Sequence, residues 1–147
     1  MNDMHFGPAV ANSLSEFINM DKISVLDLTK NNLGDKGVWH LMQVVRHNRS
    51  LVVLNLSSNE ISTVGFGYIF EAMCTNESII NLNLSTYENF NRNRLTKKSA
   101  GKLKRMLIEN NFIEILNLSA INLGDDGMTQ LVQAFNHGLS ETLKIEK

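Results

Sequence analysis

The stretch Leu51-Val52-Val53-Leu54-Asn55-Leu56 decides the fold. Its leucines at 54 and 56 are two apart, which places both side chains on one face of an extended strand. The pattern occurs earlier as Ile23-Ser24-Val25-Leu26-Asp27-Leu28. It returns as Ile79-Ile80-Asn81-Leu82-Asn83-Leu84 and as Ile113-Glu114-Ile115-Leu116-Asn117-Leu118, and Leu143-Lys144-Ile145 reads as a partial copy. Measured from Leu26, the steps to Leu54, Leu82, Leu116 and Leu143 are 28, 28, 34 and 27 residues. A fixed period of this size marks repeat units that bury their apolar faces by stacking on one another.

Each strand is followed by a helical pattern. Apolar or small residues recur every four positions as Leu33, Gly37, Leu41, Val45, then Ile61, Gly65, Ile69, Met73. The later copies are Leu95, Ser99, Leu103, Leu107 and Leu123, Gly127, Leu131, Phe135. Gly34, Ser62, Thr96 and Gly124 stand where helix N-caps belong, and Asp35 and Asp125 fall in a first turn, where a carboxylate suits the helix dipole. Asn48, Asn76, Asn110 and Gly138 follow the last apolar positions. These residue types tolerate the left-handed conformation that closes a helix. Lys104 stands in the column of Met42, Phe70 and Val132, which the spacing predicts to be buried. Val10, Leu14, Phe17 and Ile18 predict a helix within residues 1–22 that caps the N-terminal edge. The predicted fold is α/β, a single domain over 1–147 with repeats starting near 23, 51, 79 and 113 and a partial repeat at 140–147.

The pattern resembles the ribonuclease-inhibitor-like class of leucine-rich repeats, L-x-x-L-x-L-x-x-N-x-L with a helix in each repeat of about 28 residues. The resemblance covers Ile23 to Ile145. It implies a curved solenoid with a parallel sheet on the concave side and helices on the convex side. The consensus asparagine is present as Asn31, Asn59 and Asn93; Ile121 takes its place in the fourth repeat, so the turn there must be held differently.

Hydrophobic residues at 43%, charged residues at 20% and a net charge of −1 give no global pull toward nucleic acid or membranes. Cys74 is the single cysteine, which excludes an intramolecular disulfide and a cysteine metal cluster. The N-terminus has no signal-like basic and apolar regions, and no stretch reaches the roughly 18 apolar residues of a spanning helix. A soluble, cytoplasmic protein is the expectation. Gly34-Asp35-Lys36-Gly37 and Gly124-Asp125-Asp126-Gly127 lack the phosphate-loop and calcium-loop patterns. His5, His40, His47 and His137 have no zinc spacing, and no serine sits in a nucleophile elbow. No catalytic residue, metal or cofactor is expected. Asn-x-Ser triplets at Asn48, Asn55, Asn76, Asn83 and Asn117 read as by-products of the repeat.

Three surfaces are candidates for function. On the strand face, Val25, Val53, Asn81 and Ile115 form one outward column. Asp27, Asn55, Asn83 and Asn117 form a second, and Thr29, Ser57, Ser85 and Ser119 a third. An apolar column beside amides suits recognition; equally, the polar residues serve to pair the ladder and keep the sheet soluble. The second surface is a six-residue insertion in the third repeat, within 85–94, which carries Tyr87, Phe90, Arg92 and Arg94. Insertions in solenoids lie to one side, often the binding side, and Tyr and Arg anchor interfaces. The third is a basic run, Arg92, Arg94, Lys97, Lys98, Lys102, Lys104 and Arg105, with no acid between Glu88 and Glu109. A solvated helix face is its usual explanation, and weak contact with an anionic surface the alternative.

These readings converge on a protein-interaction or scaffold module that uses the concave face, the loop at 85–94, or both. No specificity for nucleic acid is expected. The C-terminal strand edge is open to a partner or to the rest of a longer chain. Among proteins with this class of repeat, the ribonuclease inhibitor itself is far longer and cysteine-rich. A regulator of a small GTPase, as in the Ran-regulating family, and a cytoskeletal or actin-binding repeat domain, as in tropomodulin, stand as alternatives.

Overall fold

A computed structural model of the chain describes residues 13–14, 18, 22–87, 92–136 and 143–146. Strand β1 (Val25–Asp27) leads to helix α1 (Gly34–Val45), β2 (Val53–Asn55) to α2 (Thr63–Met73), β3 (Asn81–Asn83) to α3 (Lys97–Glu109), and β4 (Ile115–Asn117) to α4 (Gly124–Phe135). Strand β5 (Lys144–Glu146) follows. The five strands form one parallel sheet in sequence order. Leu26, Leu54, Leu82 and Leu116 lie in register. Each helix packs on the next in sequence. Adjacent strands are about 4.8 Å apart whereas packed helices need about 8–10 Å, so the stack bends with its sheet on the inner side. The chain folds as an α/β leucine-rich-repeat solenoid.

The core lies between the two layers. Leu26, Leu54, Leu82 and Leu116 from the strands meet Leu41, Ile69, Leu103 and Leu131 from the helices. Leu14 and Ile18 join the same cluster; the remainder of the N-terminal helix expected over 1–22 lies outside the described residues. The buried stripe is broadest on α2, where Gly65, Phe66, Gly67, Ile69, Phe70, Ala72 and Met73 all face inward. On α4 only Gly127, Leu131 and Ala134 do.

That narrowing corrects the expectation for Lys104. Met42 and Phe70 are buried, but Lys104 is half-buried and Val132 is 54% exposed. The column turns outward along the stack, and the Lys104 ammonium donates to Gln133 Oε1 at 3.0 Å. Phe135 is likewise exposed, whereas its counterparts Val45, Met73 and Leu107 are buried.

The last strand corrects another expectation. Ile145, not Leu143, pairs with Leu116, so the final step is 29 residues rather than 27. A slip of two residues keeps the same strand face inward, and apolar spacing alone does not distinguish the two registers.

The helix starts also differ among themselves. Ser62 caps α2, its hydroxyl accepting from the Val64 N–H at 3.2 Å. Thr96 precedes α3 in extended conformation but makes no cap bond; its hydroxyl meets that of Thr63 at 2.8 Å. Gly34 and Gly124 turn the chain through φ of +57° and +64° and begin their helices without a side-chain cap. Asp35 lies in the first turn of α1 but caps α2: its carboxylate accepts from the backbone N–H of Ser62 at 2.8 Å and of Gly65 at 3.0 Å.

Candidate interaction surface

Two ladders of buried asparagines fix which polar groups are left for a partner. In the first, Asn59 Oδ1 accepts from the N–H groups of Asn31 and Leu33, and its Nδ2 donates to the carbonyls of Leu28 and Ser57. Asn93 repeats this one unit on, accepting from Asn59 and Ile61 and donating to Leu56, Leu84 and Ser85. The second ladder joins the helix ends. Asn76 Nδ2 reaches the Val45 carbonyl at 2.8 Å while its Oδ1 accepts from Ser78 and Ile79, and Asn110 Nδ2 reaches the Met73 carbonyl at 2.6 Å. Asn48 donates in the same way to the carbonyl of Ile18. These three residues therefore do not close helices in the left-handed conformation, since none of them has positive φ. They tie each unit to the one before it. Gly138, the fourth residue of that column, lies outside the described residues.

On the strand face the columns differ in availability. Val25 is 60% exposed, while Val53, Asn81 and Ile115 are half-buried. In the second column each oxygen is committed locally. Asp27 Oδ1 accepts from the N–H and hydroxyl of Thr29, and Asn55 Oδ1 from those of Ser57. Asn83 and Asn117 accept from the N–H groups of Ser85 and Ser119. Asn117 Nδ2 also donates to Glu146 at 2.7 Å. The third column is not outward: Thr29, Ser57 and Ser85 are buried and Ser119 is half-buried. The reading in which these polar residues serve the sheet itself is realised in their turn bonds. The side-chain oxygens shape the turns, while Val25 is exposed and Val53, Asn55 and Asn83 are half-buried on the same face.

The neck of the insertion is built tightly. Thr86 Oγ1 accepts from the Asn93 N–H at 3.0 Å and donates to the Asn93 carbonyl at 3.1 Å. It supplies the acceptor that an asparagine at 121 would have offered, while the Ile121 carbonyl takes the N–H of Leu95. The Tyr87 N–H donates to Ser58 Oγ at 2.8 Å, and the Lys30 ammonium lies 5.3 Å from the centroid of the Tyr87 ring. Tyr87, Arg92 and Arg94 are exposed; Phe90 lies outside the described residues. Clefts of about 340 and 520 Å³ flank the returning chain, the first lined by Glu60, Ile61, Ser62, Arg92 and Arg94, the second by Arg92, Asn93, Arg94, Ala120 and Asn122.

The basic run is less available than its composition suggests. Lys102 pairs with Glu71 at 2.5 Å and Arg105 with Glu109 at 2.7 Å. The carboxyl of Glu109 is held below its usual range, first by its hydrogen bond from Arg105. Lys98 is exposed, and the side chain of Lys97 is not among those described. Sequence reasoning passed over Trp39, an exposed side chain lying edge-on to His40 and lining a cleft with Lys36 and Tyr68. Its position outside the apolar stripe of α1 was the available signal.

A family described as leucine rich repeat matches residues 22–38 and 47–69. The chain carries leucine-rich repeats. No curated protein matches the sequence. Among solved structures, the fold is similar to that of leiomodin-1 actin-binding site 2, with a TM-score of 0.77 at 15% identity, over 93% of this chain and 76% of that one. The likeness is one of fold.

Proposed function

We propose that the protein is a non-catalytic interaction module that holds a protein partner against its strand face and the insertion at 85–94. The observation that carries this reading is the exposed Val25, continued by half-buried Val53 and Ile115, beside half-buried Asn55 and Asn83. Apolar area next to hydrogen-bonding groups is what recognition surfaces combine. The partner-binding set is Val25, Asp27, Val53, Asn55, Asn81, Asn83, Ile115 and Asn117, with Tyr87, Phe90, Arg92 and Arg94 from the insertion. We read 1–147 as one domain, with residues 1–22 closing its N-terminal end; the bond from Asn48 to the Ile18 carbonyl supports this. A cytoplasmic setting fits the burial of the Asn48 and Asn76 amides, which leaves no room for a glycan at either triplet.

Substituting Val25→Lys together with Val53→Lys tests the face without unlatching the turns that Asn55 and Asn83 hold. Affinity capture with mass spectrometry is expected to show specific partners lost by this variant. Retention of every partner by a folded V25K/V53K chain would sink the proposal. The alternative of an actin-contacting repeat domain is favoured by the fold shared with the leiomodin segment. Co-sedimentation with actin tests it, and a GTP-hydrolysis assay tests regulation of a small GTPase.

A further inference from the structure

We propose that Arg92 and Arg94 receive carboxylates from an extended acidic segment of the partner protein, laid across the turns of the second, third and fourth repeats. This rests on reading the insertion as part of the interaction surface. The two arginines follow the strand at the positions that Ser58 and Glu60 hold one repeat before and Ala120 and Asn122 one repeat after. Ala120 is small and lines the cleft of about 520 Å³ beside Arg92, and Glu60, Ile61 and Ser62 line the cleft of about 340 Å³ on the other side. Both arginines line both clefts.

The backbone at Asn93 and Arg94 is fixed before any ligand arrives. The Arg94 N–H donates to the Ile61 carbonyl at 2.7 Å, and Asn93, between the two arginines, is held by Thr86 and by its own ladder bonds. The guanidiniums, however, meet no acid among the described residues, whereas Lys102 and Arg105 on the following helix are already paired. A guanidinium with no acid partner among the described residues presents a planar fork of donors, which a carboxylate matches with two parallel bonds. Tyr87, held by Ser58 and Lys30, stands at the same neck with 48% of its surface exposed.

The charge pattern selects the occupant. Nucleic acid and bilayers gain affinity from rows of cations, each adding a phosphate or headgroup contact. Here the positive spot is short: Glu60 lines one cleft, and Asp125 and Asp126 open the next helix. A peptide with spaced glutamates or aspartates fits a spot of this size.

Fluorescence polarisation with a labelled peptide of alternating Glu and Ala, and with its Gln-for-Glu counterpart, tests the proposal on the full chain. The Glu peptide is expected to bind and to weaken with salt. R92Q/R94Q should weaken it about tenfold, as for the loss of two charge-assisted contacts. Lys102→Gln should leave binding unchanged, and the Gln peptide should not bind. Thermal melts are expected to show R92Q/R94Q folded, since both side chains are exposed. Equal binding by wild type and R92Q/R94Q, or none by wild type at low salt, overturns the proposal. So does an Arg92- and Arg94-dependent affinity for a duplex oligonucleotide or phosphatidylserine vesicles that exceeds the affinity for the peptide. If V25K/V53K loses its partners while wild type ignores the peptide, this inference alone fails and the interaction reading stands.

Discussion

Single residues in this solenoid act across repeats. Asn59 serves two N–H groups and two carbonyls, and its N–H partners, on Asn31 and Leu33, lie in the preceding unit. Asn59→Ala would strand buried donors and acceptors together, at a cost of roughly 3 kcal/mol. Urea melts are expected to show that loss, and a change within error would mean that water replaces the amide. Cys74 is a second case. Burial, and then the Glu109 carboxylate beside it, push its thiol up to about 11. The protonated thiol is therefore favoured in the folded chain, and this contribution is present below the ordinary value of 9.0 and lost as pH rises through about 11. Thiolate absorbance at 240 nm should rise with a midpoint near the higher value, and Glu109→Gln should lower that midpoint. A native midpoint at the ordinary value would contradict the placement of Cys74 against Glu109.

At the scale of elements, helix α2 depends on a carboxylate borrowed from α1. A Cβ at Gly65 would meet Asp35 Oδ1 at 2.5 Å and Ile61 Cγ2 at 2.7 Å, displacing the group that caps the helix. Gly65→Ala is expected to destabilise by about 2 kcal/mol despite its better helix propensity. At Gly67, two residues on, a Cβ meets only the mobile end of Lys102, the ammonium lying at 3.2 Å. Gly67→Ala should be neutral or stabilising by up to about 1 kcal/mol. Calorimetry on the two variants separates backbone crowding from propensity, and equal effects would refute the cross-repeat cap. The four-residue spacing made Gly65 visible as a small position. The reason for its smallness was not visible, because Asp35 belongs to another helix thirty residues away. Likewise Thr96 has the residue type of a cap but spends its hydroxyl on Thr63.

At the scale of the whole molecule, stability is distributed along the stack. Helix α2 is packed by neighbours on both sides, whereas α4 buries three residues and exposes Val132 and Phe135. Hydrogen exchange followed by mass spectrometry is expected to show protection highest over α2 and β3 and lowest over α4. Uniform protection would mean the repeats unfold as a single unit. The sequence by itself determined the alternation of strand and helix, the parallel order of the units and the site of the insertion. A strand or helix with one apolar face has no stable state except against the next copy, so the spacing of leucines was sufficient. Only the tertiary structure decided which partners the polar side chains take: the two asparagine ladders, the Thr86 clasp, the register of Ile145, and the pairing of Lys102 with Glu71 on the preceding helix. The physical reason is distance along the chain. The ladder asparagines, Ile145 and Lys102 find their partners about one repeat away, and Thr86 finds its own across the insertion; over such separations local spacing carries no information about which bond a polar side chain will make.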